Sequence, residues 1–255
     1  LELHKEVFLT ADIFFVNGIP FFITLSRKID YTSVISLHNR KAKTIFDTFV
    51  QIYQLYKQRG FRITTVHADG EFAALQVMIE GMPGGPRVNL TSANEHVPKI
   101  ERRIRVVKER TRAIRHHIPF TGIPRIMTIY IVLCATKMLT HFPTKGGISE
   151  TLSPRAIMSG ESLDYKKHLS LPFGTYCQTH ENDTPRNNQN PRTRGAISMG
   201  PSGNEQGGHK FMTLRSGKKI TRFAWDAIPT PDLVIEWVNL LGKDQPAQLQ
   251  FTDRK

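Results

Sequence analysis

Three carboxylates stand at positions of this sequence where phosphoryl-transfer chemistry could be built. Asp12 interrupts the apolar run VFLTADIFFV, and a carboxylate in a core strand is costly to bury unless it is paired or holds a cation. Asp69 comes just after the predicted strand FRITTVHA, where a strand end delivers a side chain to the edge of a sheet. Glu101 falls in the first turn of a predicted helix that Pro98 opens.

Each of these carboxylates also has an ordinary explanation. Asp12 could be an edge-strand residue, Asp69 a turn former before Gly70, and Glu101 a charge that complements the helix dipole. The combination, in the order first strand, later strand end and later helix, is much less expected by chance than any single one. The three residues are therefore treated as a set.

Three converging carboxylates repel one another unless cations lie between them. Hard oxygen ligands with open water positions suit Mg²⁺, or Mn²⁺ in its place. Two such ions about 3.5–4 Å apart serve an in-line phosphoryl displacement, with no covalent protein nucleophile. We predict Asp12, Asp69 and Glu101 as the catalytic residues and as the ligands of two divalent ions.

The helix that contains Glu101 also has a basic row. At about 100° per residue, four basic side chains fall in one stripe with Glu101, separate from an apolar face. The predicted DNA-contacting residues are Arg105, Lys108, Arg112 and Arg115. The alternative is an ordinary solvated charged face. His67 and His96 are close enough in sequence to line the site, and a surface or structural role fits them equally well.

The elements that must position these residues follow from apolar spacing. Three strand-like runs lie between residues 7 and 37, with the hairpin signal Asn17-Gly18 between the first two. A helix over residues 42–58, a strand, a short helix over residues 71–80 and the short strand RVNLT follow, and then helices near 97–117 and 123–141. This is the order of an α/β, RNase H-like mixed sheet flanked by helices. In such a sheet the first and fourth strands are neighbours, which would bring Asp12 near Asp69.

The C-terminal third has a different composition. Residues 180–209 are rich in Asn, Pro, Gly and Ser, which predicts loop for much of the segment. Short strands are predicted at KFMTL, KKITRFAW and DLVIEWV, as parts of a small β module. The predicted domains are a catalytic core over 1–145, a linker over 146–164, an SH3-like β module over 165–232 and a C-terminal tail over 233–255.

Charge narrows the class of partner. The 255 residues include 35 Lys and Arg against 22 Asp and Glu, a formal charge of +13, which suits a nucleic-acid partner. Cys134 and Cys177 form no metal-site or disulfide pattern. The apolar run over residues 126–135 is about half the ~20 residues of a membrane span, so we predict a buried helix and no membrane partner. The first residue is Leu1, which leads us to expect a piece of a longer polyprotein.

Several of these segments resemble one family. VHADGEF around Asp69 is similar to the motif of copia-type LTR retrotransposon integrases, and NEHVPKIERRIRVVKERTRAI is similar to the family's segment with a Pro before the catalytic Glu. TLSPRAIMSGESLDYKKHLSLPFGTYCQTHE and SGKKITRFAWDAIP resemble the stretch around the family's SH3-like module. The sequence departs from the family pattern in lacking an Asn next to Asp69, in placing 31 residues between Asp69 and Glu101, and in the charge of Lys99.

The resemblance implies an activity and partners. It assigns Asp12, Asp69 and Glu101 as the metal-binding triad and implies 3′-end processing and DNA strand transfer. It also implies homo-oligomers on element ends and target DNA, and a nuclear location with a cytoplasmic particle stage. The alternative is a catalytically inactive, integrase-derived nucleic-acid-binding protein. An unrelated RNase H-like nuclease is disfavoured by the C-terminal module.

Overall fold

The structure is a computed structural model that describes residues 5–91, 98–181, 189, 191–204 and 206–252. The chain divides into two compact units. The first contains Leu1–Glu109, Ala135–Ser162 and Phe251–Lys255, and the second contains Arg110–Cys134 and Leu163–Gln250. This division interleaves along the chain, whereas the predicted domains were consecutive, so their boundaries stay a prediction.

The first unit contains a mixed sheet and its helices. Its strands are β1 (Glu6–Val16), β2 (Ile19–Ser26), β3 (Thr32–Ser36), β4 (Arg62–Ala68), β5 (Arg87–Leu90) and β11 (Phe251–Thr252). Its helical elements are α1 (Ala42–Gln58), a 3-10 turn (Gly70–Phe72), α2 (Ala73–Glu80) and α5 (Pro154–Ser159). Two helices, α3 (Pro98–His117) and α4 (Arg125–Leu139), contribute residues to both units.

The strand order of this sheet is β3-β2-β1-β4-β5, with β11 added to the end of β1. The β1–β2 and β2–β3 pairs are antiparallel, and the β1–β4 and β4–β5 pairs are parallel. Asn17 and Gly18 make the predicted tight turn between β1 and β2, with positive φ angles of 49° and 71°. The predicted α/β, RNase H-like mixed sheet is therefore confirmed, including the neighbouring first and fourth strands.

One face of this sheet is buried against α1. Successive strand residues point to opposite faces, and Leu9, Ala11 and Ile13 of β1 belong to the same core cluster as Phe49 and Ile52 of α1. Helix α1 has the predicted bounds, because its buried residues recur at helical spacing. The alternate residues of β1, including Asp12, consequently point to the other face.

The second unit contains a five-stranded antiparallel sheet. Its strands are β6 (Tyr176–His180), β7 (Thr193–Pro201), β8 (His209–Thr213), β9 (Lys219–Arg222) and β10 (Trp225–Ala227). The unit also contains the short helix α6 (Tyr165–His168) and the longer helix α7 (Asp232–Leu241). The order is β10-β6-β7-β8-β9, so the last strand pairs with the first. The predicted small β module is confirmed, while its SH3-like identity stays a prediction.

One strand in this unit was not predicted, and one predicted strand is a helix. Residues 193–201 form β7 inside the segment that was predicted as loop for much of its length, and Ala196, Ile197 and Met199 are buried there. DLVIEWV forms helix α7 and not a strand, since Val234 and Val238 lie four residues apart and are both buried.

The apolar run over residues 126–135 lies within α4. Met127, Ile131 and Val132 are fully buried there, which confirms the predicted buried helix. Among the described residues, none of the helices combines the length and the apolar character that crossing a membrane requires.

A buried histidine makes the second unit sensitive to acid. His209 on β8 is fully buried, and its ring centroid lies 4.5 Å from that of Trp225. Burial, with a smaller contribution from nearby His168, lowers the pKa of His209 from 6.5. Because the folded state favours the neutral ring, the stability that His209 contributes is present above pH 6.5 and is lost as the pH falls through the lowered folded-state pKa.

We expect His209→Phe to keep the ring contact and to reduce the acid dependence of unfolding. The measurement is urea unfolding at a series of pH values from 7 to 5, followed by Trp fluorescence. An unchanged pH dependence in the variant would assign the acid sensitivity to other groups.

Candidate functional site

Asp12 lies in the middle of β1, where it pairs with Ile23 of β2. Its side chain is partly exposed, on the sheet face opposite to α1. The Asp12 Oδ1 atom accepts a hydrogen bond from the backbone N–H of Ile13, at 2.6 Å. The side chain is thus held by a local backbone donor while it stays partly accessible to solvent.

Asp69 follows the last residue of β4 and caps the 3-10 turn. Its Oδ1 atom accepts a hydrogen bond from the N–H of Glu71, at 3.1 Å. The backbone of Asp69 is still extended, with φ −87° and ψ −179°, so the alternation of strand side chains continues into it. Val66 and Ala68 belong to the α1 core, which places His67 and Asp69 on the opposite face.

The register of β1 and β4 relates these two carboxylates. The last pair of this parallel ladder is Thr10 with His67, and Asp12 and Asp69 each lie two positions beyond it in their own segment. Both residues point to the face opposite α1. The pairing of β1 with β4 is as predicted, and the approach of Asp12 to Asp69 stays a prediction.

His67 shares this face of the sheet. Burial, and secondarily the positive charge of Arg27, lower the pKa of the His67 imidazole. A neutral imidazole suits a position beside cations. His96, the other histidine considered from the sequence, lies outside the described residues.

Glu101 is exposed in the first turn of α3. The residues on either side of it fix the start of the helix to the β2–β3 turn. Lys99 Nζ donates to the backbone oxygen of Arg27 at 2.9 Å, and Arg103 pairs with Asp30 at 2.5 Å. Both contacts lie within the first unit, so the turn between β2 and β3 determines where the helix that contains Glu101 begins.

The donor chemistry of this region suits a hard cation only in part. Asp12 and Asp69 offer carboxylate oxygens, the ligands that Mg²⁺ takes. Among residues 5–91, 98–181, 189, 191–204 and 206–252, however, no group of three or more His, Cys, Asp or Glu side chains is arranged to hold a metal ion. The metal-ligand roles of Asp12, Asp69 and Glu101 therefore all stay predictions.

The predicted basic row on α3 divides into two halves. Arg105 and Arg112 are exposed, as a DNA-contacting role requires. Lys108 is only 7% exposed, so its predicted place on the surface is wrong. The reason is helical geometry, since Lys108 lies beside the buried arc of Ile104 and Thr111.

Arg115 is also engaged inside the protein. Its guanidinium donates hydrogen bonds to the backbone oxygens of Phe120, Thr121 and Ala247, at 2.6, 2.7 and 3.1 Å. Burial lowers the pKa of Arg115. This side chain stabilises the segment after α3, and the prediction that it contacts DNA is not supported by its position.

Two ion pairs near the site could not be found from the sequence. Arg103 with Asp30, and Arg40 with Glu71 at 2.7 Å, each join residues more than thirty positions apart. Glu71 directly follows the Asp69–Gly70 turn, so Arg40 holds the loop next to Asp69. The only local signal was the presence of Glu71 in the VHADGEF motif.

Comparison with known proteins gives a distant structural likeness. No protein-family model and no curated protein sequence matches the chain. Among solved structures, the chain is similar to the catalytic core domain of BIV integrase, at 14% identity and a TM-score of 0.44, covering 60% of this chain and 93% of that one. A likeness of this size does not indicate function, and the fold assignment depends on the strand order and pairing described above.

Proposed function

We propose that this protein is a polynucleotidyl transferase of the integrase type, which processes DNA 3′ ends and joins them to target DNA. The copia-type retrotransposon identity, the homo-oligomer on DNA and the nuclear location belong to the same proposal. The observation on which it depends most is the parallel pairing of β1 with β4, which extends to Thr10 and His67, two residues before Asp12 and Asp69. The RNase H-like strand order and the charge of +13 are consistent with it.

Asp12 and Asp69 would hold a divalent ion, Mg²⁺ or Mn²⁺, and Glu101 would complete the set for a second ion. When bound, such ions would supply Lewis-acid stabilisation to an in-line phosphoryl displacement. The parallel pairing of β1 with β4 would bring the two aspartates together. It also holds Asp69 through the Glu71 N–H and holds the adjoining loop through Arg40.

The DNA itself would be bound by the exposed basic residues of α3. Arg105 and Arg112 lie on the solvent side of the helix that begins at Glu101. Phosphate contacts of this kind position a duplex without selecting its sequence.

The direct test is a strand-transfer assay. The chain is incubated with a short duplex that ends in the element sequence, with a target plasmid, and with Mg²⁺ or Mn²⁺. We expect joined products that disappear when the ions are chelated. A folded chain that binds DNA and forms no products under either metal would contradict the proposal.

One observation favours a second candidate function. The described residues contain no three-ligand metal group, which is the state expected of an integrase-derived protein that binds DNA without catalysis. The strand-transfer assay distinguishes the two candidate functions, because a non-catalytic protein would bind the DNA end and leave it unchanged.

Exposure along α3 predicts which residues bind phosphate. We expect the double variant Arg105→Ala, Arg112→Ala to weaken DNA binding and to flatten the log-log salt dependence of the binding constant by about one to two units. Buried Lys108 is expected to have little effect on this slope. The measurement is fluorescence anisotropy with a labelled duplex over a range of salt concentrations.

The matched control is the double variant Lys43→Ala, Lys57→Ala, which removes two exposed charges from α1. It lowers the net charge by the same amount at a different place. An equal loss of slope in both double variants would indicate a diffuse charge effect and contradict a specific role of α3.

A further inference from the structure

Helix α7 is held in the second unit by one face. Val234 and Val238 are buried in the core cluster that also contains Ile123 and Met212. Asn239 Oδ1 accepts hydrogen bonds from the N–H groups of Thr121 and Gly122, at 2.9 and 3.1 Å. A Cβ atom at Gly242 would lie 2.6 Å from the backbone nitrogen of Ile123, so the end of α7 touches the backbone of the 122–123 segment. The helix is therefore firmly placed.

The face of α7 next to the buried one exposes large apolar side chains. Leu233, Trp237 and Leu240 are 76%, 44% and 53% exposed, and they lie at positions i, i+4 and i+7 of one helix. Trp237 Nε1 donates to the backbone oxygen of Leu214 at 2.8 Å, which fixes the indole in place. Exposed apolar side chains that are grouped in this way mark binding surfaces.

Two carboxylates border this apolar stripe. Asp232 and Glu236 are exposed on the same side of α7, and neither forms an ion pair with any residue in the described part of the chain. Asp232 also complements the N-terminus of the helix, whereas Glu236 lies one turn later. In a chain with a formal charge of +13, an unneutralised acidic edge is a local exception.

We infer that this face of α7 is a docking surface for a basic, amphipathic peptide segment of a protein partner. Apolar side chains at i, i+4 and i+7 are the anchors by which helices and grooves recognise each other. The carboxylates Asp232 and Glu236 complement Lys or Arg on the incoming segment. The surface is independent of the nucleic-acid function proposed above.

Other occupants fit the chemistry less well. DNA and anionic lipid surfaces are repelled by an acidic edge. A second copy of the chain would need about 800 Å² on each partner for a stable dimer. One face of a ten-residue helix is small for that purpose, and it suits a short peptide.

The test uses the whole chain and a labelled synthetic peptide. The peptide combines leucines at helical spacing with flanking lysines, and its control has glutamates in place of the lysines. Fluorescence anisotropy is expected to show saturable binding of the basic peptide, weakened by raised salt, and little binding of the acidic one.

Two variants assign the binding to α7. The double variant Leu233→Gln, Leu240→Gln replaces the apolar anchors by glutamine, a residue that favours helix. The double variant Asp232→Asn, Glu236→Gln removes the two negative charges. Each double variant is expected to lower the affinity for the basic peptide by about tenfold or more. The controls are Val77→Gln, at an apolar side chain that is 81% exposed on α2, and Asp47→Asn on α1, and both should bind like the wild type.

Three results would overturn the inference. The first is equal binding of the acidic and basic peptides, and the second is unchanged peptide binding by the α7 variants. The third is a dimer, seen in sedimentation velocity, that the double variant Leu233→Gln, Leu240→Gln abolishes. The last result would assign the face to a second copy of the chain.

Discussion

Asp69→Asn is expected to lower strand transfer by about a thousandfold while the fold and DNA binding stay intact. The loss corresponds to about 4 kcal/mol of transition-state stabilisation, the several kcal/mol that a metal ion contributes. Asn is the appropriate replacement, because it caps a helical turn as well as Asp and so preserves the hydrogen bond from the N–H of Glu71. The substitution therefore separates the charge of the side chain from its structural role.

The measurement is strand transfer and DNA binding on the same preparations, with Mg²⁺ and with Mn²⁺. Asp47→Asn, an exposed carboxylate on α1, is the matched control and should transfer strands like the wild type. Equal activity of Asp69→Asn and the wild type would remove Asp69 from any metal site. A loss of DNA binding in parallel with activity would instead indicate a structural defect.

The strands β1–β5 and the helices α1 and α2 of the first unit could be predicted because local patterns determine them, whereas α5 and β11 were not predicted. Buried residues at helical spacing define α1, and Asn17-Gly18 defines the first hairpin. Element order then implied that β1 and β4 are neighbours. The pairing of β1 with β4 is observed, so the strands that contain Asp12 and precede Asp69 could be placed side by side from sequence.

The rest of the site depends on contacts between distant segments. Nothing local to Arg103 indicates that it pairs with Asp30, 73 positions away. The basic row was predicted from the spacing of residues on an isolated helix. That spacing gives the angular position of each side chain, but it does not show how much of the helix surface is buried. Lys108 lies at the edge of that arc and is buried, and Arg115 is engaged by three backbone oxygens.

The same limit explains the error at α7. DLVIEWV has β-branched and aromatic residues that suit a strand, and over seven residues the apolar pattern fits both periods. Packing of Val234 and Val238 into one core cluster favours the helix. Tertiary context thus decides between two structures that local propensity leaves close together.

The pairing of Arg103 with Asp30 should contribute more stability than any exposed ion pair of the first unit. The two side chains are 17% and 15% exposed, and Asp30 has a positive φ of 59° that Asn tolerates. Asp30→Asn therefore keeps the turn and leaves the Arg103 charge without its partner in a mostly buried place. We expect a loss of about 3 kcal/mol in the free energy of unfolding, because removal of one partner leaves the other charge without an ion pair in a mostly buried place.

Glu71→Gln provides the matched comparison, because the same acid-to-amide change then breaks the Arg40 pair, whose side chains are 51% and 34% exposed. Its expected cost is below about 1 kcal/mol. Urea unfolding followed by circular dichroism gives both values, and hydrogen exchange of β2, β3 and the first turns of α3 shows where protection is lost. Equal costs for the two variants would mean that the Arg103–Asp30 pair is effectively solvated. In that case the β2–β3 turn would not determine where the helix that contains Glu101 begins.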